Sequence, residues 1–405
     1  SMAKGISSVP MVKAFGKAGM LGFFGSAGLS LEKVEAAIDE LQAEGSRFPF
    51  GVNLIHSPNE PELEKSLIEL YIRKQVHLVE ASAFMALSLP IVKYRTAGIY
   101  RDASGAIIAP NRVIAKISRE EVAARFMSPP PDKFLQQLVA SGDLTAEQAE
   151  LAKQIPMAQD ITVEADSGGH TDNRPALALF PTILAQRESF QKQFAYNQKL
   201  RVGLGGGIAT PASALAALSM GAAYLVTGTV NQACIESGTC DTVRQMLAET
   251  RQADITMAPS GDMFELGVKV QVVKRGTMFS IRAHKLYELY RAYDSMEALP
   301  AAEREKLEKT FFKAPLSTIW EQTRSYFAVR DPRQVQKLKL IRSTRWPWCS
   351  VGTLANLRYG QTWANRRVRL IIRSGVALRW GHSTSGLKVP FLKRPRNEKL
   401  SRLRT

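Results

Sequence analysis

Val163-Glu164-Ala165-Asp166-Ser167-Gly168-Gly169-His170-Thr171-Asp172 follows directly on Ile161 and Thr162, and the apolar run Ile161 to Val163 reads as the end of a buried strand. Two glycines let the backbone turn sharply and approach a ligand closely. A histidine, the side chain most readily tuned to move a proton near neutrality, stands directly after them. Alone, the stretch reads as an ordinary strand-to-helix turn with a surface histidine. A second glycine turn further along, Gly203-Leu204-Gly205-Gly206-Gly207, changes the weighing, because the chain between and around the two turns alternates strand with helix.

Seven short apolar strands are expected: Leu21–Phe24, Phe50–Ile55, Val76–Glu80, Val113–Ile117, Ile161–Ala165, Arg201–Leu204 and Ala223–Thr227. Most are followed by an amphipathic stretch, as in Leu31 to Glu44, where Leu31, Val34, Ala37, Ile38 and Leu41 recur at helical spacing. This is the pattern of parallel βα units. It predicts an α/β fold, a TIM (β/α)8 barrel over residues 1–230 that lacks its first strand. An open doubly wound sheet is the alternative, but no GxGxxG opens the first unit and no acid is placed for a ribose. Pro129-Pro130-Pro131 interrupts the rhythm, and a helical pair is expected in an insertion at about 128–156. Beyond Val230 the alternation stops. Residues 231–336 read as a mostly helical cap with a bend at Met257-Ala258-Pro259-Ser260-Gly261 and a basic turn at Lys274-Arg275-Gly276-Thr277.

The net charge of +17 is localised. Residues 337–405 hold 17 Lys or Arg and one acid, Glu398, so the first 336 residues carry a net charge of only +1. The three cysteines, Cys234, Cys240 and Cys349, form no CxxC pair, which argues against a disulfide framework or zinc site and suits a cytoplasmic protein. No metal site and no signal peptide are expected. No apolar run approaches the ~20 residues needed to span a bilayer, so no membrane association is expected.

In a barrel of this kind ligands gather at the C-terminal strand ends, with phosphate after the last two strands. Here those strands end in Gly205-Gly206-Gly207-Ile208-Ala209 and Thr227-Gly228-Thr229. Backbone N–H groups at both turns, and the start of a helix at Pro211, would cradle a phosphate. A side chain at Gly206 would then occupy the phosphate's place. Asn53 and Lys116 would point to the same rim. His56, His77 and His284 read as loop, packing or surface residues.

Gly51-Val52-Asn53, Ala115-Lys116, Glu164 to Pro175 (Glu-Ala-Asp-Ser-Gly-Gly-His-Thr-Asp-Asn-Arg-Pro) and Gly203-Leu204-Gly205-Gly206-Gly207-Ile208 resemble the FMN-dependent barrels of the nitronate monooxygenase and enoyl reductase superfamily. The longer resemblance, over roughly residues 2–336, is to the trans-acting enoyl reductases of polyunsaturated fatty acid and polyketide synthases. It includes the insertion and a cap pattern, Met257-Ala258-Pro259, Asp262-Met263-Phe264-Glu265 and Gly267-Val268-Lys269-Val270-Gln271. The resemblance implies FMN, with Gly205, Gly206, Gly207, Gly228 and Thr229 at its phosphate. Gly22, Asn53, Lys116, Ser167, Gly168 and Gly169 would lie near its ring or ribityl chain. It implies NADPH or NADH as reductant, acyl carrier protein domains of a synthase as partners, and no specific nucleic acid. His170 becomes the candidate to polarise a thioester carbonyl or place the α-proton, with Asp166 and Asp172 to orient the imidazole. Nitronate oxidation with the same flavin and oxygen is the alternative. Homodimerisation stays open.

Both ends depart from the resemblance. Seven strands leave a barrel one short, so bare edges are expected on Leu21–Phe24 and Ala223–Thr227, with poor solubility or no bound flavin unless upstream residues are restored. From about residue 340 a frame-shifted reading is expected: apolar periodicity ends, and four of the five tryptophans fall there. Codons for the family's Met-Ala-Leu-Val-Phe-Arg-Trp-Tyr, read one base later, give Trp-Pro-Trp-Cys-Ser-Val-Gly-Thr, the string Trp346–Thr353. A nucleic-acid-binding tail explains the charge but not that match.

Overall fold

Twelve strands organise the residues that a computed structural model describes, which are 2–56, 60–261, 264 and 267–330. The basic tail lies outside the described residues. In chain order the strands are β1 (Gly22–Phe24), β2 (Phe50–Ile55), β3 (Leu78–Ser82), β4 (Tyr100–Arg101), β5 (Ile107–Ile108) and β6 (Arg112–Ile117). They continue with β7 (Asp160–Glu164), β8 (Gly169–His170), β9 (Arg201–Gly205), β10 (Leu225–Val226), β11 (Ile255–Pro259) and β12 (Lys269–Val273). Contacts divide them between two compact units, one of residues 2–167 and 171–249, the other of 168–170 and 250–330 among the described residues.

The first unit holds a seven-stranded parallel sheet in the order β1-β2-β3-β6-β7-β9-β10, the barrel-type α/β sheet expected from the alternation. Alternate positions along each strand supply one apolar face. Val52, Leu54, Val79, Ala81, Val113, Ala115, Ile117, Ile161, Val163, Val202 and Leu204 join one core with Val34, Ile38 and Leu41 of helix Leu31–Gln42 and Ile68 and Tyr71 of helix Pro61–Arg73. Each large aliphatic side chain buried there contributes about 1.5–3 kcal/mol. The intervening positions, Asn53, Glu80, Lys116, Thr162 and Glu164, share the opposite face by the two-residue period of a strand. Tyr224 covers Gly203 there, where a Cβ would lie 2.3 Å from its ring, and its hydroxyl meets Thr162 Oγ1 at 3.0 Å.

β1 and β10 end the ladder, yet the gap is bridged at the rim. Lys4 and Gly5 N–H donate to Ala27 and Gly25 carbonyls, both at 2.8 Å, in the loop after β1. Ile6 O accepts from Gly238 N at 2.9 Å, and Ser8 Oγ donates to Glu236 O, in the segment beyond β10. The chain passes so closely that a Cβ on Gly25 would meet Met2 O at 1.9 Å, and one on Gly238 would meet Gly5 O at 2.0 Å. The segment Met2–Ser8 therefore ties together the loops of the two end strands, a bridge that the expectation of bare edges did not include.

The insertion carries helices Asp132–Ala140 and Ala146–Ala152, the second started by a capping box between Thr145 and Gln148. In the second unit, β11, β12 and β8 form an antiparallel sheet, against the expectation of a bend and helices over this stretch. The β-branched residues of Lys269-Val270-Gln271-Val272-Val273 account for it. Helix Phe279–Ala292 buries Phe279, Ala283, Leu286 and Leu289 in a core with Val270, Val272, Met296 and Leu307. Among the described residues no helix is long and apolar enough to cross a membrane.

Candidate functional site

The polar face of the first unit's sheet converges at the C-terminal strand ends. Lys116 Nζ lies 3.0 Å from Glu164 Oε1, and the same oxygen accepts from Ser167 Oγ at 3.1 Å. Burial pulls the Lys116 ammonium toward neutrality, but the Glu164 and Glu80 carboxylates outweigh it and hold its pKa above the ordinary lysine value. Asn53 is 1% exposed; its Nδ2 donates long bonds of 3.4 Å to Glu80 O and Ser82 Oγ, and its Oδ1 is buried with no partner.

Two turns complete the rim. Among the described residues the N–H groups of Gly207, Ile208, Gly228 and Thr229 have no acceptor. The start of helix Pro211–Ser219 is internally capped: Thr210 Oγ1 accepts from Ser213 N at 3.1 Å, and Ser213 Oγ from Ala209 and Thr210 N. Anion-binding capacity therefore resides in the turns more than in the helix start. Asn231 Nδ2 donates to Thr227 O at 2.8 Å and to Thr227 Oγ1 at 2.9 Å, fixing the second turn.

The glycines divide by what surrounds them. Gly206 has φ +93°, and a Cβ there would lie 2.9 Å from the carbonyl oxygens of Ala165 and Asp166. Its substitution would clash with backbone, contrary to the expectation that a side chain would enter a phosphate's place. Gly228 meets that expectation's geometry instead, since a Cβ there has nothing within 4 Å. Gly205 makes ordinary contacts with Thr162 and Val226. Gly22 faces the helix layer, where a Cβ would come within 2.9 Å of Val12 Cα. The structure thus brings Asn53, Lys116 and Ser167 together on the polar face with the two turns, and sets Gly22 apart.

Gly168, Gly169 and His170 belong to the second unit. Strand β8 pairs with β12, His170 opposite Val270 and Gly169 opposite Gln271. His170 Nε2 lies 2.9 Å from the Oγ of buried Ser260, which directly follows β11. Asp172 is bound within the first unit: Ser118 Oγ donates to it at 2.7 Å, and Arg119 Nε and Nη2 at 2.8 and 2.9 Å. The Arg119 guanidinium holds the Asp172 carboxyl below the usual carboxylate range, against the opposing pull of partial burial. Asp166 donates its backbone N–H to Arg174 O at 2.8 Å. Glu164, Glu80, Asn231 and Ser260 escaped the sequence reading. Glu164 lay in the glycine-histidine motif and Ser260 in the expected bend, but nothing local marked either as a partner of Lys116 or His170.

The first unit is thus a parallel barrel-type sheet that carries a cation, an amide and two turns with bare N–H groups at its strand ends. The family model of nitronate monooxygenase matches residues 1–288, and the chain belongs to that family of oxidoreductases. A second model, the inserted helical domain of [acyl-carrier-protein] S-malonyltransferase, matches residues 293–342. Over 379 residues the chain is 47% identical to a polyunsaturated fatty acid synthase component of Thraustochytrium sp., covering 90% of this chain and 25% of that protein. It is 44% identical to the polyketide biosynthesis protein PksE of Bacillus subtilis, over 85% of this chain and 46% of that one. The chain thus spans less than half the length of these relatives. The enoyl reductase domain of MlnA, from the macrolactin biosynthesis cluster of Bacillus amyloliquefaciens, superposes with a TM-score of 0.90 at 34% identity, over 99% of this chain and 90% of that domain.

Proposed function

We propose that this chain is a cytoplasmic enoyl reductase that moves hydride from NADPH or NADH, by way of FMN, to the β-carbon of a 2-enoyl thioester on an acyl carrier protein. The observation that carries this reading is the 34% identity and TM-score of 0.90 to the MlnA enoyl reductase domain. The residues of the strand ends fit the cofactor. Four bare N–H groups and the open space at Gly228 suit its phosphate, with Gly205 and Gly206 keeping the first turn free of side chains. Asn53 and Lys116 would meet its polar ring edge or ribityl chain, and Ser167, Gly168 and Gly169 would line the approach. FMN, when bound, supplies a hydride carrier between nicotinamide and enoyl carbon.

The chain's own residues do the remaining work. Glu164 and Ser167 fix Lys116, so that its ammonium is held in one place as a positive charge rather than swinging on its stem. The β-ladder and Ser260 fix the ring of His170, which would polarise the thioester carbonyl or deliver the α-proton. Asp172 serves by anchoring Arg119, and Asp166 by holding the turn through Arg174.

The family match over residues 1–288 favours one second reading, oxidation of a nitronate with FMN and oxygen. An anaerobic assay with crotonyl pantetheine and each nicotinamide separates the two. Consumption of the nicotinamide with formation of the saturated thioester is expected. No turnover there, with oxygen-dependent nitronate consumption, would establish the second reading.

A further inference from the structure

Residues 267–287 of the second unit contain five Lys or Arg and no acid, and exposed Met278 and Ile281 lie among them. Thr277 N donates to Lys274 O at 3.2 Å, and Thr277 Oγ1 to Val273 O at 2.9 Å, closing a turn that delivers the chain into helix Phe279–Ala292. That helix turns Phe279, Ala283, Leu286 and Leu289 into the core. Its other face carries Ile281, Arg282 and Lys285 at helical spacing after Met278. Met278 is 53% exposed and Ile281 60% exposed, while Lys274 and Arg275 stand exposed beside them. Arg275 lies 3.8 Å from Asp254 and Lys285 3.2 Å from Glu303; among the described residues no carboxylate pairs with Lys274 or Arg282.

Two exposed apolar side chains interspersed along the chain with cations are complementary to an acidic helix bearing apolar residues. We infer that this face, Lys274 to Lys285, is the docking surface for the carrier protein that presents the substrate, a partner with an acidic recognition helix. The inference rests on the enoyl reductase reading and names its partner's landing place. Independent support comes from the segment that follows, 293–342, which matches the inserted helical domain of an enzyme whose name specifies an acyl carrier protein. Opposite charges would speed encounter, and Met278 and Ile281 would then be covered.

The test compares the crotonyl thioester of a holo acyl carrier domain from a polyunsaturated fatty acid synthase with crotonyl pantetheine, and measures binding of that carrier domain by calorimetry. Lys274→Glu and Ile281→Glu should each weaken carrier binding and raise KM for the carrier-bound substrate about tenfold, with kcat unchanged. Kinetics on crotonyl pantetheine should not move. Lys274→Arg should behave as wild type, and added salt should raise the wild-type KM more than that of Lys274→Glu. Unchanged carrier binding in both glutamate variants would overturn the surface, as would equal losses on the two substrates. Duplex DNA displacing the carrier domain as well as unlabelled carrier does would also overturn it. Lys274-dependent carrier binding without reduction of either thioester would leave the surface standing and sink the enoyl reductase reading instead.

Discussion

Replacing Lys116 with methionine removes the cation of the polar face and keeps the volume of its stem. Removing one partner of a buried ion pair costs about 3–5 kcal/mol, because the remaining charge is left without compensation. Both side chains here retain 19% exposure, so some hydration survives. The expected loss is therefore about 2–4 kcal/mol. Glu164→Gln should lose only about 1 kcal/mol, because its amide oxygen still accepts from Lys116 and Ser167, and Glu80 still faces the ammonium.

The pH dependence separates this account from a packing defect. In the wild type the raised pKa of Lys116 means that its stabilisation is complete below the unfolded lysine value and is lost only as pH rises through the folded one. It should be flat from about pH 5 to 9. In Lys116→Met the Glu80 and Glu164 carboxylates lose their counter-ion. Acid relieves uncompensated negative charge, so the variant's deficit should be larger at pH 7 than at pH 5. Urea denaturation of the three proteins at both pH values measures this. A Lys116→Met loss that is under about 1 kcal/mol, equal to that of Glu164→Gln, or independent of pH would refute the reasoning.

Gly228→Ala should cost under about 1 kcal/mol of stability yet weaken FMN binding at least about tenfold, as equilibrium dialysis would read. Gly206→Ala should lower stability by about 2–4 kcal/mol through its positive φ and the clash with two carbonyls, visible in the apoprotein's urea midpoint. His170→Ala should keep FMN and lose about 10²–10⁴-fold in enoyl reduction, with the nicotinamide half-reaction far less affected in stopped flow. Asp172→Asn removes a carboxylate whose folded pKa is depressed; its stabilisation is present above the unfolded value and lost as pH falls through the folded one. The Tm difference from wild type should therefore vanish in strong acid.

The seven parallel strands were legible because strands covered on both faces read as runs such as Val113–Ile117 and Ile161–Val163, bounded by turn residues. The glycine turns were legible for the same reason, as breaks in those runs. The hairpin of β4 and β5 was not: each strand is two residues long, and the turn is held by Asp102 Oδ1 accepting from Ser104 N and Ala106 N at 2.9 and 3.0 Å. Strands β11 and β12 were hidden in a stretch read as helical, although Val270, Val272 and Val273 carried a strand signal. The partners of site residues were least legible. His170 and Ser260 are 90 residues apart, and Asp172 and Arg119 are 53 apart; nothing in local spacing announces such pairs.

The segment Met2–Ser8 has a kinetic meaning. Ser8 and Glu236 are 228 positions apart, so the hydrogen bond that ties the two ends of the ladder is among the most distant in the chain. During synthesis residues 2–8 must wait, with their donors and acceptors bare, until nearly the whole first unit has left the ribosome. Closure of the rim is then a late event whose loop entropy has to be met before any reward arrives. Until that moment the loops after β1 and β10 are untied, a window in which a chaperone or slow translation would decide between folding and aggregation.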